Sequence, residues 1–290
     1  MRCMKKNSLL IGIVLVLIAG VLASSFFIGQ NLTRLYPTPS SSPSPTPLPT
    51  LETADQIKAV MAEGAQLREA GNYTESEPKL KTAFYSAVTI KDQALAIETG
   101  NNLSILFRLQ AGRASRQKQP TQAQAYSDSS LAVYETLKAN NWFNDQDPGL
   151  ARNWAHALLY AGKVEPAITA LQHSQKIQTA PAAQGDEMTH LGAAYLAQGK
   201  MTEAQPLITQ GLALIEKNNG SKIWLTFGLM SKAQLLAQTG QLDEAKKALV
   251  QAQTIANENN LVVRREEIEY LLAQPPEHIN VLQTVGVLPE

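Results

Sequence analysis

The residues of this 290-residue chain that could do chemistry are few. Its four histidines are His156, His173, His190 and His278. They form no HExxH pair and have no cysteine beside them, so the sequence gives no metal-ligand spacing. There is no GxSxG elbow, no glycine-rich phosphate loop and no kinase signature. No acidic pair is singled out, because Asp and Glu are scattered along helical pattern. His190 stands beside the apolar columns Leu191 and Gly192 and reads as a partly buried structural residue. Two features remain that could bind. Arg108, Arg113, Arg116 and Lys118 fall in a stretch, Thr99 to Ser127, that contains no Asp or Glu. Such a cluster suits either a solvated face or a docking patch for an anionic partner. Arg152 and His156 are four apart and so share one helix face. The sequence therefore predicts a binding protein rather than an enzyme, with no cofactor.

The elements that must carry these residues repeat. GNYTESEPKL from Gly71, GKVEPAITAL from Gly162, GKMTEAQPLI from Gly199 and GQLDEAKKAL from Gly240 align column by column. Small residues recur at the sixth position (Ser76, Ala167, Ala204, Ala245), and Leu or Ile at the tenth (Leu80, Leu171, Ile208, Leu249). Gly64, Ala155, Gly192 and Ala233 precede each glycine by seven residues, and Leu67, Leu158, Tyr195 and Leu236 by four. Apolar residues at this spacing make a stripe on one helix face, and small residues let two helices approach. The glycine marks a sharp turn at positive φ. Glu75, Glu203 and Glu244 follow it in the first turn of the second helix, where they favour the helix dipole. A pattern of this period specifies stacked helical hairpins.

These columns resemble the tetratricopeptide repeat (TPR) family. The fullest copy is HLGAAYLAQGKMTEAQPLITQGLALIE, from His190 to Glu216; a weaker copy has Gly112 at its turn. Successive turn glycines are 41, 50, 37 and 41 residues apart, longer than the family's typical spacing of about 34. The resemblance implies an all-α, right-handed solenoid of about five hairpins over residues 54–274. It also implies that the first helix of each hairpin lines a concave groove. Counting from the turn glycines, the groove-facing positions are Asn102, Arg152, His156, Thr189, Met230 and Gln234. The chaperone-binding members that grip a terminal carboxylate have Lys and Asn where this chain has Met61 and Ala65, which argues against that kind of clamp. The expected partner is a protein or peptide, with the protein acting as a scaffold. The alternative is a ligand-sensing domain or enzyme with a small-molecule pocket in the groove, and self-association through Gln-rich faces is a further possibility.

Outside the repeats the chain is readable in other ways. SLLIGIVLVLIAGVLASSFFIG, within residues 1–30, has about twenty largely apolar positions, enough to cross a bilayer. Arg2, Lys5 and Lys6 precede it, which predicts a cytoplasmic N-terminus and an extracytoplasmic repeat domain. The alternative is a signal peptide cut near Ala23. The linker over residues 31–53 contains PTPSSSPSPTPLP, which favours extended polyproline II. At about 3.1 Å per residue it would span roughly 40 Å. Lys+Arg and Asp+Glu are both 25, so no basic field recruits nucleic acid. The single cysteine, Cys3, excludes an intrachain disulfide. LVVRREEIEYLLAQPP reads as a charged capping helix ended by Pro275, and residues 275–290 as a tail able to pack back onto it.

Overall fold

The computed structural model describes residues 49–287. The apolar N-terminal run and most of the Pro-rich linker lie outside the described residues. Helices α1 (Ala54–Glu69) and α2 (Tyr73–Thr89), α3 (Gln93–Arg116) and α4 (Pro120–Ala139), and α5 (Pro148–Tyr160) and α6 (Val164–Ile177) pack as consecutive pairs. So do α7 (Pro181–Ala197) with α8 (Met201–Lys217), and α9 (Lys222–Gln238) with α10 (Leu242–Glu258). Helix α11 (Val262–Leu272) follows, then a single 3₁₀ turn and the short α12 (Val281–Val285). This is an all-α helical-repeat fold. Among the described residues no helix is long and apolar enough to cross a membrane.

Local chemistry explains the boundaries. Thr53 and Gln56 close a capping box on α1, while Asp92 and Asp147 accept from the Leu95 and Leu150 backbone N–H groups at the starts of α3 and α5. These contacts satisfy donors that a helix start leaves without partners. Four hairpins turn on glycines at positive φ: Gly71 at 79°, Gly162 at 71°, Gly199 at 72° and Gly240 at 79°. At Gly71 the glycine N–H reaches the Arg68 carbonyl and the next N–H, of Asn72, reaches Leu67. The same two-bond pattern closes the other three turns, and it satisfies carbonyls that the helix end exposes. The outer bond falls on the carbonyls of Leu67, Leu158, Tyr195 and Leu236, while their side chains belong to the apolar stripe of the helix.

The small columns do what their size allows. A Cβ on Gly192 would lie 2.5 Å from Ile208 Cγ1, so the repeat pairs glycine on one helix with a branched side chain on the next. Leu191 is buried as the pattern predicts, but Tyr195 is only half-buried, with its hydroxyl accepting from Gln172 Nε2 at 3.2 Å. Gly112 corrects the weaker copy of the repeat. It lies inside the 24-residue α3, and the turn falls instead at Lys118, with φ 58°. Glycine at 112 serves a different contact: a Cβ there would meet the Val285 carbonyl oxygen at 2.7 Å.

Candidate functional site: a polar cavity under a docked segment

Helices α1, α3, α5, α7, α9 and α11 each present residues to one central concavity. The segment from Ile279 to Val287 occupies part of it. Ile279, Val281, Leu282 and Val285 are buried, and α12 packs on α3, α5, α7, α9 and α11. Main-chain groups hold this segment. Gln234 Oε1 accepts from the Val281 N–H at 2.8 Å. Ser115 Oγ donates to the Gln283 carbonyl at 2.9 Å, and Arg116 Nη1 to that of Thr284 at 2.8 Å. The Val287 N–H donates to the Tyr160 carbonyl at 2.7 Å. The expected tail contact with the cap is present, but the larger contact is with the groove.

Beside this segment a cavity of about 320 Å³ remains, lined by Arg68, Arg108, Arg152, His156, Asp186 and Arg264 together with Ile105, Leu109, Trp224 and Val285 among others. Two of its lining residues, His156 and His190, belong to a stack of three rings that continues into the core at Phe227. His156 lies 3.8 Å from His190 at 16°, and His190 lies 3.9 Å from Phe227 at 7° (centroid distances). His190 Nδ1 is 2.9 Å from the Asp186 carbonyl oxygen, one helical turn back, which can only accept, so the hydrogen sits on Nδ1. Nε2 faces the Tyr160 hydroxyl at 2.8 Å. The Asp186 carboxylate is 1 % exposed. It stands 3.2 Å from His190 Nδ1 and 3.9 Å from His156 Nε2, yet neither oxygen receives a hydrogen bond.

Burial governs the electrostatics here, because a low-dielectric site disfavours whichever form is charged. Burial pushes the His156 imidazole well below the ordinary histidine range, and His190 and Arg108 push it the same way. Burial also raises the Tyr160 hydroxyl to about 12, against the pull of Arg264 and Arg108. Glu187, next along α7, accepts from Ser174 Oγ at 2.7 Å. Its carboxyl is nevertheless raised to about 7, chiefly by burial. Arg264 pairs with Glu267. Arg108 has neither an ion pair nor a hydrogen bond among the described residues; its guanidinium lies 5.3 Å from the Tyr160 ring centre, and its buried Nε has no acceptor.

The groove positions taken from the repeat pattern are only partly exposed to this space. Arg152, over the Trp224 ring at 5.1 Å, and His156 line the cavity. Asn102 is engaged instead by Arg68 Nη1 at 2.9 Å. Thr189 and Met230 are wholly buried and do not line an open groove. Thr189 Cγ2 faces the glycines of α8 and α9, Gly211 and Gly228. Gln234 is committed to Val281. The reason is that α7 and α9 are covered on both sides, so groove-side positions there become core.

The basic cluster does not form a free patch either. Arg108 faces the cavity. Arg113 Nη2 bonds both Glu266 carboxylate oxygens, at 2.8 and 3.0 Å, with its guanidinium 4.1 Å from the Tyr73 ring centre. Arg116 holds the Thr284 carbonyl and lies 3.5 Å from Glu266. Only Lys118 is exposed, in its turn. The acids that neutralise this stretch come from α11, about 150 residues later, where a local count of charge cannot see them. The same helix, expected as a charged cap, also carries charge on its inner side. Arg264 and Glu267 line the cavity, while Glu269 is exposed.

His156, Asp186 and His190 bring donor atoms within 4.8 Å of one another, a cluster the sequence spacing hides. It is poorly arranged for a metal. Ring lone pairs lie in the ring plane, and two stacked rings aim them in parallel rather than at one point. His190 Nδ1 is also committed to a carbonyl. Asp186, Tyr160, Arg68, Arg264 and Glu267 were missed in the sequence reading. The signals that could have found them are the Asp186–His190 spacing of four and the charges interleaved with Ile268 and Leu271.

Comparison with known proteins agrees with this fold. Residues 228–259 match the model of a tetratricopeptide repeat. No curated protein matches the chain. A putative kinesin light chain with TPR-like repeats from Podosopora anserina is 17% identical, with a TM-score of 0.47, covering 72% of this chain and 99% of that one. A thermophilic TPR protein from Thermus thermophilus is 18% identical, with a TM-score of 0.47 and coverage of 74% and 100%. A Rap protein complexed with competence and sporulation factor is 16% identical with a TM-score of 0.52; the match covers 77% of this chain and 59% of that one. The hairpin geometry and the match over residues 228–259 give the fold as a TPR-like helical repeat.

Proposed function

We propose that this protein is a membrane-anchored, outward-facing TPR-like scaffold whose concave face binds a protein or peptide partner and supports complex assembly. The observation that carries this reading is the docked segment itself. Gln234, Ser115, Arg116 and the Tyr160 carbonyl engage main-chain groups of residues 281–287, while its apolar side chains fill the groove. Bonds to main-chain groups hold a segment whatever its sequence, and pockets for its side chains supply selectivity. TPR-like folds are typically non-enzymatic interaction scaffolds, and the Rap protein of the same fold is complexed with a factor. The anchor is supported by the uncharged run from Ser8 to Gly29 behind Arg2, Lys5 and Lys6.

The test removes residues 279–290 from the full-length chain and titrates in a labelled synthetic peptide of residues 279–287. Saturable binding that the intact chain does not show supports a peptide groove. No binding to the shortened chain, with its helicity intact, refutes it. For the anchor, protease added outside intact cells should release the repeat domain, whereas protection until lysis would place that domain inside. The ligand-sensing alternative rests on a separate observation, the polar cavity beside the segment.

A further inference from the structure

The groove cavity holds buried orphan groups of both signs. Asp186, 1 % exposed, receives no hydrogen bond at either carboxylate oxygen. Arg108, 7 % exposed, has no acceptor for Nε and no ion pair among the described residues. Arg152, at the half-buried rim, likewise has no ion pair among the described residues and rests on Trp224. The other charges of the lining are matched internally: Arg68 with Glu69, and Arg264 with Glu267. A buried charge without a hydrogen-bonded partner is strongly unfavourable, and pairing relieves it. The orphans are spread over three helices, α3, α5 and α7, and among the described residues no two of them form an ion pair. Apolar side chains of Ile105, Leu109, Trp224 and Val285 line the same cavity.

We propose that this cavity is a binding site for a small zwitterion: a free α-amino acid with an apolar side chain. Its ammonium sits on the Asp186 carboxylate, beside the unpartnered Nε2 of His156. Its carboxylate is taken by Arg108 and Arg152, and its side chain lies along Trp224, Ile105 and Leu109. The space of about 320 Å³ falls in the range of small-molecule pockets, which combine apolar walls with a few placed polar groups. A simple anion would answer the arginines and leave Asp186 bare; a simple cation would do the reverse. The site does not depend on peptide docking, since the segment from Ile279 to Val287 contributes only the Val285 wall.

The test is thermal melting and calorimetric titration of the full chain in detergent. The probes are the standard L-amino acids, then isocaproate and isoamylamine as the carboxylate-only and amine-only halves of leucine, and Zn²⁺ alone. An apolar amino acid should raise the melting temperature, with each half-molecule binding at least about tenfold more weakly. Asp186→Asn and Arg108→Gln should each reduce binding at least about tenfold. Because both residues are buried, Arg152→Gln at the rim supplies the control. It should weaken amino-acid binding while the free protein melts unchanged. The proposal is overturned if no amino acid binds, if a half-molecule binds equally well, if only Zn²⁺ binds, or if Arg152→Gln binds as tightly as the parent.

Discussion

Gln234 and Val281 lie 47 residues apart, yet the Gln234 amide oxygen accepts the Val281 backbone N–H at 2.8 Å, with both residues buried. A polar side chain sits at this groove position because it completes a bond to the chain's own backbone. The groove thus holds a short helical segment of the same chain, α12, through bonds to its main chain.

Gln234→Leu removes the acceptor and leaves the Val281 N–H buried and unpaired. The expected loss is about 1–3 kcal/mol. Hydrogen exchange at Val281 to Val285 should accelerate, with helical content otherwise kept. Unchanged protection at Val281 would show that this bond does not hold the segment.

Gly112→Ala and Gly199→Ala should fail in opposite ways. At Gly199 the backbone is left-handed, and nothing stands within 4 Å of an added Cβ. The cost there is conformational strain alone, about 1–2 kcal/mol. At Gly112 the backbone is helical, but the new Cβ meets the Val285 carbonyl at 2.7 Å. Limited proteolysis should therefore cut Gly112→Ala near residues 274–287 while the repeats stay folded, and should not cut Gly199→Ala there.

Glu187 supplies a pH dependence. Its folded-state carboxyl is raised from 4.5 to about 7, so between these values the folded chain keeps a proton that the unfolded chain has released. This group's contribution to stability is therefore undiminished below about pH 4.5, falls as pH rises through the window and is smallest above 7. Glu187→Gln keeps an acceptor for Ser174 and never ionises. It should stabilise the protein by about 1–3 kcal/mol at pH 8 and by little at pH 4.5. Equal melting shifts at the two values would exclude a raised carboxyl.

Arg113 and Glu266 should behave as a structural pair rather than as a docking charge. Both side chains are about a third exposed, so Arg113→Gln should cost only about 0.5–1 kcal/mol. In a double-mutant cycle with Glu266→Gln the two losses should be non-additive. Strict additivity would mean that the bidentate contact carries no coupling.

The repeat was legible because its signals are local. The turn glycines, the Leu or Tyr four before them and the small columns all act within one hairpin, and the turns fall at Gly71, Gly162, Gly199 and Gly240. Gly112 was misplaced in the sequence reading because glycine has two uses, turning and close approach, and the sequence does not say which. Arg108 and Arg113 read as surface charge because their surroundings, Tyr160 and Glu266, come from distant helices. The Asp186–His190 cluster was hidden for a related reason. Asp186 and His190 are one turn apart, but His156, Tyr160 and Phe227, which give them meaning, lie on other helices 26 to 41 residues away in sequence.

An open array of repeats behaves like a spring, each coil touching only its neighbours. Here Arg113 and Arg116 on the second hairpin grip Glu266 and the Thr284 carbonyl near the other end, so the coil carries a latch. Pulled between residues 54 and 287, such a spring should not lengthen turn by turn from its ends. The latch must open first, and the extension that follows uncovers the concave face at the same moment.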